Sequence, residues 1–161
     1  DVAFPLQLRI PRWCPKATVR INSETPVAVI PGARPYELRR VWQPGDAVTL
    51  DMPMPWRLVR GRKLQEGKVA LMRGPVTYCI GTAHNADWVR KYPDPGTLTI
   101  DPATLGEPVP DALSVLTGTN AVPVTVVLTE FVDPSGIATY FRIPDLDKAV
   151  DDELMTDCFA K

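Results

Sequence analysis

The sequence is short of the raw material for most catalytic chemistries. It holds one His and three Cys among 161 residues. A Ser/His/Asp triad or a His/Cys metal cluster therefore has almost nothing to draw on. Cys14, Cys79 and Cys158 lie far apart, with no Cys-x-x-Cys pair and no His beside them. They read as reduced, partly buried thiols, because an odd count cannot pair completely within one chain. No apolar run approaches the roughly 20 residues that a membrane helix needs, and there is no Gly-rich phosphate loop. Neither charge dominates: 18 Lys+Arg against 19 Asp+Glu leave a net charge of -1. That balance lacks the electrostatic footprint of a nucleic-acid or anionic-membrane binder, so neither partner is expected. With 45% apolar and 23% charged residues, the composition is that of a folded domain with a sizeable core.

Proline is abundant: 18 of 161 residues, where roughly 5% is usual. Proline at that density argues against long helices and for short strands broken by turns. The hydrophobic pattern agrees. Phe4, Leu6, Leu8 and Ile10 alternate with polar neighbours, as do Ala17, Val19 and Ile21, and again Val48, Leu50 and Met52. Further strands are expected at Pro26–Ile30, Tyr36–Val41, Trp56–Arg60, Thr97–Ile100, Ala112–Leu116, Val122–Thr129 and Ile137–Ile143. In Gln43-Pro44-Gly45-Asp46 the Pro stands second and the Gly third, which fits a type II turn. Pro53 and Pro55 fit an edge or a bend. Lys68–Met72 and Pro75–Ile80, around Arg73-Gly74, read as one strand with a glycine bulge or two strands about a corner. Strands spaced this regularly predict an all-β fold, an antiparallel β-sandwich of jelly-roll type, over residues 1–144. Residues 84–111 are expected to form a long loop region, and 145–161 an acidic tail or short helix. The chain opens on Asp1 with strand pattern already under way at Phe4, and no signal peptide is visible, so it reads as a fragment or a processed chain.

Candidate sites are few. The Asp residues at 46, 94, 101, 133 and 145 each adjoin Pro, Gly or another turn signal, where Asp caps turns. Two carboxylates could run glycoside hydrolysis, but the turn reading is the simpler one. The basic turns Arg39-Arg40 and Arg57 to Lys63 read as solvated charge. Trp13 and Trp42 lie at strand ends and suit packing. Trp88 and Tyr92 lie in the long polar loop with His84 at its start. These three are the contact candidates, for a carbohydrate or for a partner domain. No catalytic residue and no metal ligand is assigned.

The first half carries a more specific signal. Phe4-Pro-Leu-Gln-Leu-Arg-Ile-Pro-Arg-Trp-Cys14 is followed by Ala17-Thr-Val-Arg-Ile-Asn22 and by Tyr36-Glu-Leu-Arg-Arg-Val-Trp-Gln-Pro-Gly-Asp46. Val48-Thr-Leu-Asp-Met-Pro-Met54 and Gly67-Lys-Val-Ala-Leu-Met-Arg-Gly-Pro-Val-Thr-Tyr-Cys79 complete the string. In this order the motifs resemble the region after the barrel in glycoside hydrolase family 127, the β-L-arabinofuranosidase-like group. The resemblance covers about residues 4–80. It implies a parent enzyme whose active site sits in an (α/α)6 barrel, with a Zn-bound Cys nucleophile and further Cys and Glu ligands. Those ligands belong to the barrel, and this chain has no adjacent Cys pair or Glu-x-Cys to match them. The resemblance therefore implies no cofactor in these residues. It implies a non-catalytic accessory β-sandwich whose partner is the catalytic barrel of the same parent chain. A homodimer and a bound oligosaccharide stay open as further partners. The alternative is a module that binds plant polysaccharide by itself.

Overall fold

The structure, a computed structural model, describes residues 2–32, 34–91, 94–95, 98–105, 113–119 and 122–151. The chain is built of antiparallel strands with little helix, as expected. The chain divides into two compact units, Asp1–Pro55 and Trp56–Lys161. The boundary falls at the Met-Pro-Met-Pro run that ends at Pro55, where two prolines a residue apart cannot continue a ladder.

Unit 1 contains β1 (Val2–Leu8), β2 (Thr18–Ile21), β3 (Val27–Ala28), β4 (Tyr36–Trp42) and β5 (Val48–Asp51). Strands β1 and β4 form a two-stranded ribbon, with Leu6 opposite Leu38 and Leu8 opposite Tyr36. Strands β3, β2 and β5 form a second small sheet. Ile10, Cys14, Ala17, Val19 and Val29 make the core. Leu8, Tyr36 and Leu38 pack on it from the ribbon, and Val48 and Leu50 from the sheet. The expected turn at Gln43–Asp46 is present: Asp46 N donates to Gln43 O at 3.1 Å, and Gly45 takes the positive φ of 94° that the turn demands. The Asp46 carboxylate accepts from Gln43 N, closing the turn.

Unit 2 holds the remaining strands: β6 (Trp56–Arg60), β7 (Val69–Arg73), β8 (Val76–Gly81), β9 (Thr99–Ile100), β10 (Leu113–Thr119), β11 (Val122–Glu130), β12 (Gly136–Ala138) and β13 (Tyr140–Phe141). All eight belong to one sheet. Gly74, at φ 55°, is the tight turn of the β7–β8 hairpin, so Arg73-Gly74 marks a corner and not a bulge. The sheet is tied back on itself. Ile100 N donates to Arg142 O, just past β13, and Arg142 N donates to Leu98 O. This tie removes free edges that would otherwise need protection. Residues expected to be a loose tail take part. After a 3-10 turn at Leu146–Lys148, Val150 exchanges main-chain hydrogen bonds with β6, and Ala149 is buried. One cluster fills the interior, with Phe141, Leu71, Ile80, Leu98, Ile100 and Leu128 fully enclosed.

Candidate functional site

Residues expected to be loop carry a short helix, α1 (Ala86–Lys91). The sequence supplies its signals. Asn85 stands just before the helix and its C=O accepts from Val89 N. Asp87 falls in the first turn and Arg90 and Lys91 in the last, as the helix dipole favours. Trp88 points inward and is 9% exposed, a member of the unit 2 core. Trp88 therefore does not offer an open ring face as a loop aromatic would. His84 is exposed in the turn before the helix. The structure brings these two candidates together along a groove of about 400 Å³, whose walls also include Asn85, Asp87, Thr125 and Val127. Tyr92, the third candidate, lies outside the described residues, as does Cys158.

The residue that builds this groove was not singled out in the sequence. Asn85 is buried, and its side-chain amide works as a substitute peptide unit. Its Oδ1 accepts from Val127 N at 2.8 Å, and its Nδ2 donates to Val127 O and to Gly81 O, each at 2.8 Å. The need for it follows from register. Strand β11 pairs with β8 from Glu130 opposite Tyr78 to Leu128 opposite Ile80. That register stops one residue short of Val127. Val127 would then be left with a main-chain donor and acceptor unpaired inside the sheet, and Asn85 meets both. The capping pattern of Asn followed by Ala-Asp-Trp-Val-Arg-Lys signals the start of the helix, but not this bridge to a distant strand.

A second polar cluster lies under the β11–β12 turn. Asp133 Oδ1 accepts from Ser135 N at 2.8 Å. Ser135 anchors the turn to the loop before α1: its C=O accepts from Thr82 N, and its Oγ from Ala83 N. The packing is close enough to require glycine. A Cβ on Gly81 would come within 2.6 Å of Ser135 Oγ, and one on Gly136 within 2.9 Å of Cys79 Sγ. Hydrogen bonds from Ser135 main chain and side chain, then from Thr129, and the field of His84 hold the Asp133 carboxyl below the usual range. Burial raises the Cys79 thiol, which lies 3.7 Å from Thr129 Oγ1 and donates to Glu130 O. Burial also raises the Cys14 thiol of unit 1, which donates to Pro53 O. A raised thiol is a poor nucleophile and a poor metal ligand at neutral pH. Among the described residues no three His, Cys, Asp or Glu side chains gather to hold a metal. Among the described residues the donor set does not fit the zinc that the resemblance places in a catalytic barrel.

Comparison with known proteins assigns the architecture. Residues 1–54 match the family model of the beta-L-arabinofuranosidase GH127 middle domain. The first third of the chain is therefore similar to that domain. The match ends where unit 1 ends, one residue before the boundary at Pro55. Three solved structures resemble this chain across both units. A GH127 beta-L-arabinofuranosidase from Geobacillus stearothermophilus T6 shares 26% identity at a TM-score of 0.68, over 88% of this chain and 27% of that one. A glycoside hydrolase gives 21% identity and a TM-score of 0.71 over 90% of this chain and 28% of its own. A GH127 beta-arabinofuranosidase gives 18% and 0.61 over 93% and 29%. The chain thus spans under a third of the length of the solved structures it matches. A search of the curated proteins found no match.

Proposed function

We propose that this chain is a non-catalytic accessory region of a glycoside hydrolase and that bond cleavage is carried by a domain of the parent outside these residues. The observation that carries the reading is the asymmetry of coverage. Nearly the whole chain, 88%, superposes on only 27% of an enzyme described as a beta-L-arabinofuranosidase. The carboxylates support it. Hydrolysis by an acid pair needs two carboxyl groups roughly 5–9.5 Å apart across a cleft. Here Asp46, Asp101, Asp133 and Asp145 each accept from a main-chain N–H of their own turn. They are turn caps, as their sequence neighbours imply. The contribution of such a region is mechanical: a closed, well-packed wall against which a sugar-binding domain is held rigid.

A module that grips polysaccharide by itself would need open aromatic faces. Trp88 is part of the core. The Phe4 and Trp42 rings of the ribbon are tilted 31° to one another, and the Arg40 guanidinium lies 5.4 Å above the Trp42 ring. The His84–Trp88 groove offers mainly its polar rim, so contact with a neighbouring domain suits it better than sugar stacking. The test is direct. The purified 161-residue chain is expected to release no aryl alcohol from aryl β-L-arabinofuranosides and to give flat calorimetric heats with arabinan, xylan and pectin. Sustained turnover that co-purifies with the chain would overturn the reading, and saturable heats would replace it with a binding module.

A further inference from the structure

Among the described residues, β6 has β7 on one side and a single residue on the other. That residue is Val150, which bridges Val59 in parallel. Its N–H donates to Leu58 O and its C=O accepts from Arg60 N, each at 2.8 Å. The bridge is isolated, whereas β6 and β7 align over five residues and β10 and β11 over seven. The piece of chain that carries Val150 is organised within itself. The Asp145 carboxylate accepts from Asp147 N at 3.0 Å, and Ala149 N donates to Leu146 O at 3.0 Å, which closes the 3-10 turn at Leu146–Lys148. Its hold on the sheet is narrow. Ala149 is buried, Leu146 is only partly so, and Val150 is 47% exposed. Arg60 grips the chain on both sides of Val150: Nη2 donates to Ala149 O at 3.1 Å, and Nε lies 3.6 Å from the Asp151 carboxylate. Both ends of that ion pair are exposed, so it adds little. Just upstream the chain is fixed, because Phe141 and Ile143 are buried in the interior.

We infer that residues 145–151 form a strap that opens and closes on β6 as a unit, pivoting beside Pro144, while the rest of unit 2 stays folded. Two main-chain hydrogen bonds, one arginine and one small buried side chain hold it, far less than holds the central strands. Segments so lightly held open well below the free energy of global unfolding. Closed, the strap occupies the Leu58 C=O and the Arg60 N–H, the groups through which β6 would accept another strand. Open, it bares them as an edge for strand addition. The strap is thus a guard on one edge of the sheet, and its action does not depend on the accessory reading above.

Native-state hydrogen exchange of the 161-residue chain, followed by NMR at a series of low urea concentrations, tests this. The Val150 and Arg60 amides are expected to exchange together, at least about a hundredfold faster than the slowest amides of β8 and β11, and with little dependence on urea. Arg60→Ala is expected to speed the Val150 amide about tenfold. It should leave β8, β11 and the Ile100 amide, which is bonded to Arg142 O instead, as they were. Exchange of Val150 and Arg60 at the rate of global unfolding, with its full urea dependence, overturns the inference and makes the strap a fixed part of the sheet. That profile of the unaltered chain decides by itself even where Arg60→Ala does not fold. Equal acceleration of every amide in a folded Arg60→Ala variant overturns the inference as well.

Discussion

The two units are made from the same kind of sequence, short alternating strands with proline-rich turns, and they end up very different. Among the described residues, unit 2 closes its sheet around a cluster of thirteen buried core residues. Unit 1 leaves two small sheets with open edges around five. A piece of about 55 residues buries little of its chain and sits near the lower size limit for independent folding. The lesson is that alternation sets which side chains face inward, while closure of the hydrogen-bond ladder decides how much stability that alternation yields. The same difference accounts for the exposed apolar residues of β1 and β4, which a strand pattern alone assigns to a core.

The largest effect that would sharpen this comparison is Phe141→Ala. The ring is fully enclosed in unit 2, so the loss should reach about 3–5 kcal/mol in urea unfolding. Ile10→Ala in unit 1 removes a residue of similar burial but should cost about 2 kcal/mol, because a thin core relaxes into the space. Equal losses would break the distinction between the units. Next comes Asn85→Ala, expected to cost about 1–3 kcal/mol for each main-chain group of Val127 left unpaired. It should also speed exchange of the Val127 amide selectively, and a loss under about 0.5 kcal/mol would remove the role given to the amide.

Much of this was legible in the residues. The Gln43–Asp46 turn follows from Pro and Gly in their required places, and the β strands from alternation. The pattern could not show the division at Pro55 or the ring closure through Arg142, because both depend on which distant strands pair. Trp88 was misplaced for a related reason. A six-residue helix between turn-forming residues is too short to show a 3.6-residue period, and the inward direction of one aromatic comes from tertiary packing. Of the candidate site, His84 and Trp88 share one groove, yet the residue that shapes it, Asn85, looked like ordinary loop polarity. Its role exists only because the β8–β11 register ends at Leu128, before Val127.

Smaller effects complete the comparison. The Asp133 carboxyl is held below its ordinary range in unit 2. A group depressed in the folded state stabilises above its unfolded-state pKa, and the benefit fades as pH falls through its folded-state value. Stability of the β11–β12 turn should therefore weaken on the acid side, and Asp133→Asn should flatten that part of the profile in thermal melts between neutral pH and pH about 2. Were the acid limb unchanged, the turn would owe nothing to this carboxylate. Thiol labelling should show the least contrast. Cys14 and Cys79 are both buried with raised pKa values, so both should resist alkylation until their own unit opens, Cys14 first.

One joint in the wall of unit 2 is a side chain and not main chain, so the seam depends on the chemistry of a single amide. Hydrolysis of the Asn85 amide would change its outline by almost nothing. It would, however, leave a carboxylate facing the carbonyl oxygens of Gly81 and Val127, where a donor had bridged them. A chemical event the size of one ammonia molecule would turn a clasp into a wedge, and the seam between β8 and β11 is where such a molecule would come apart.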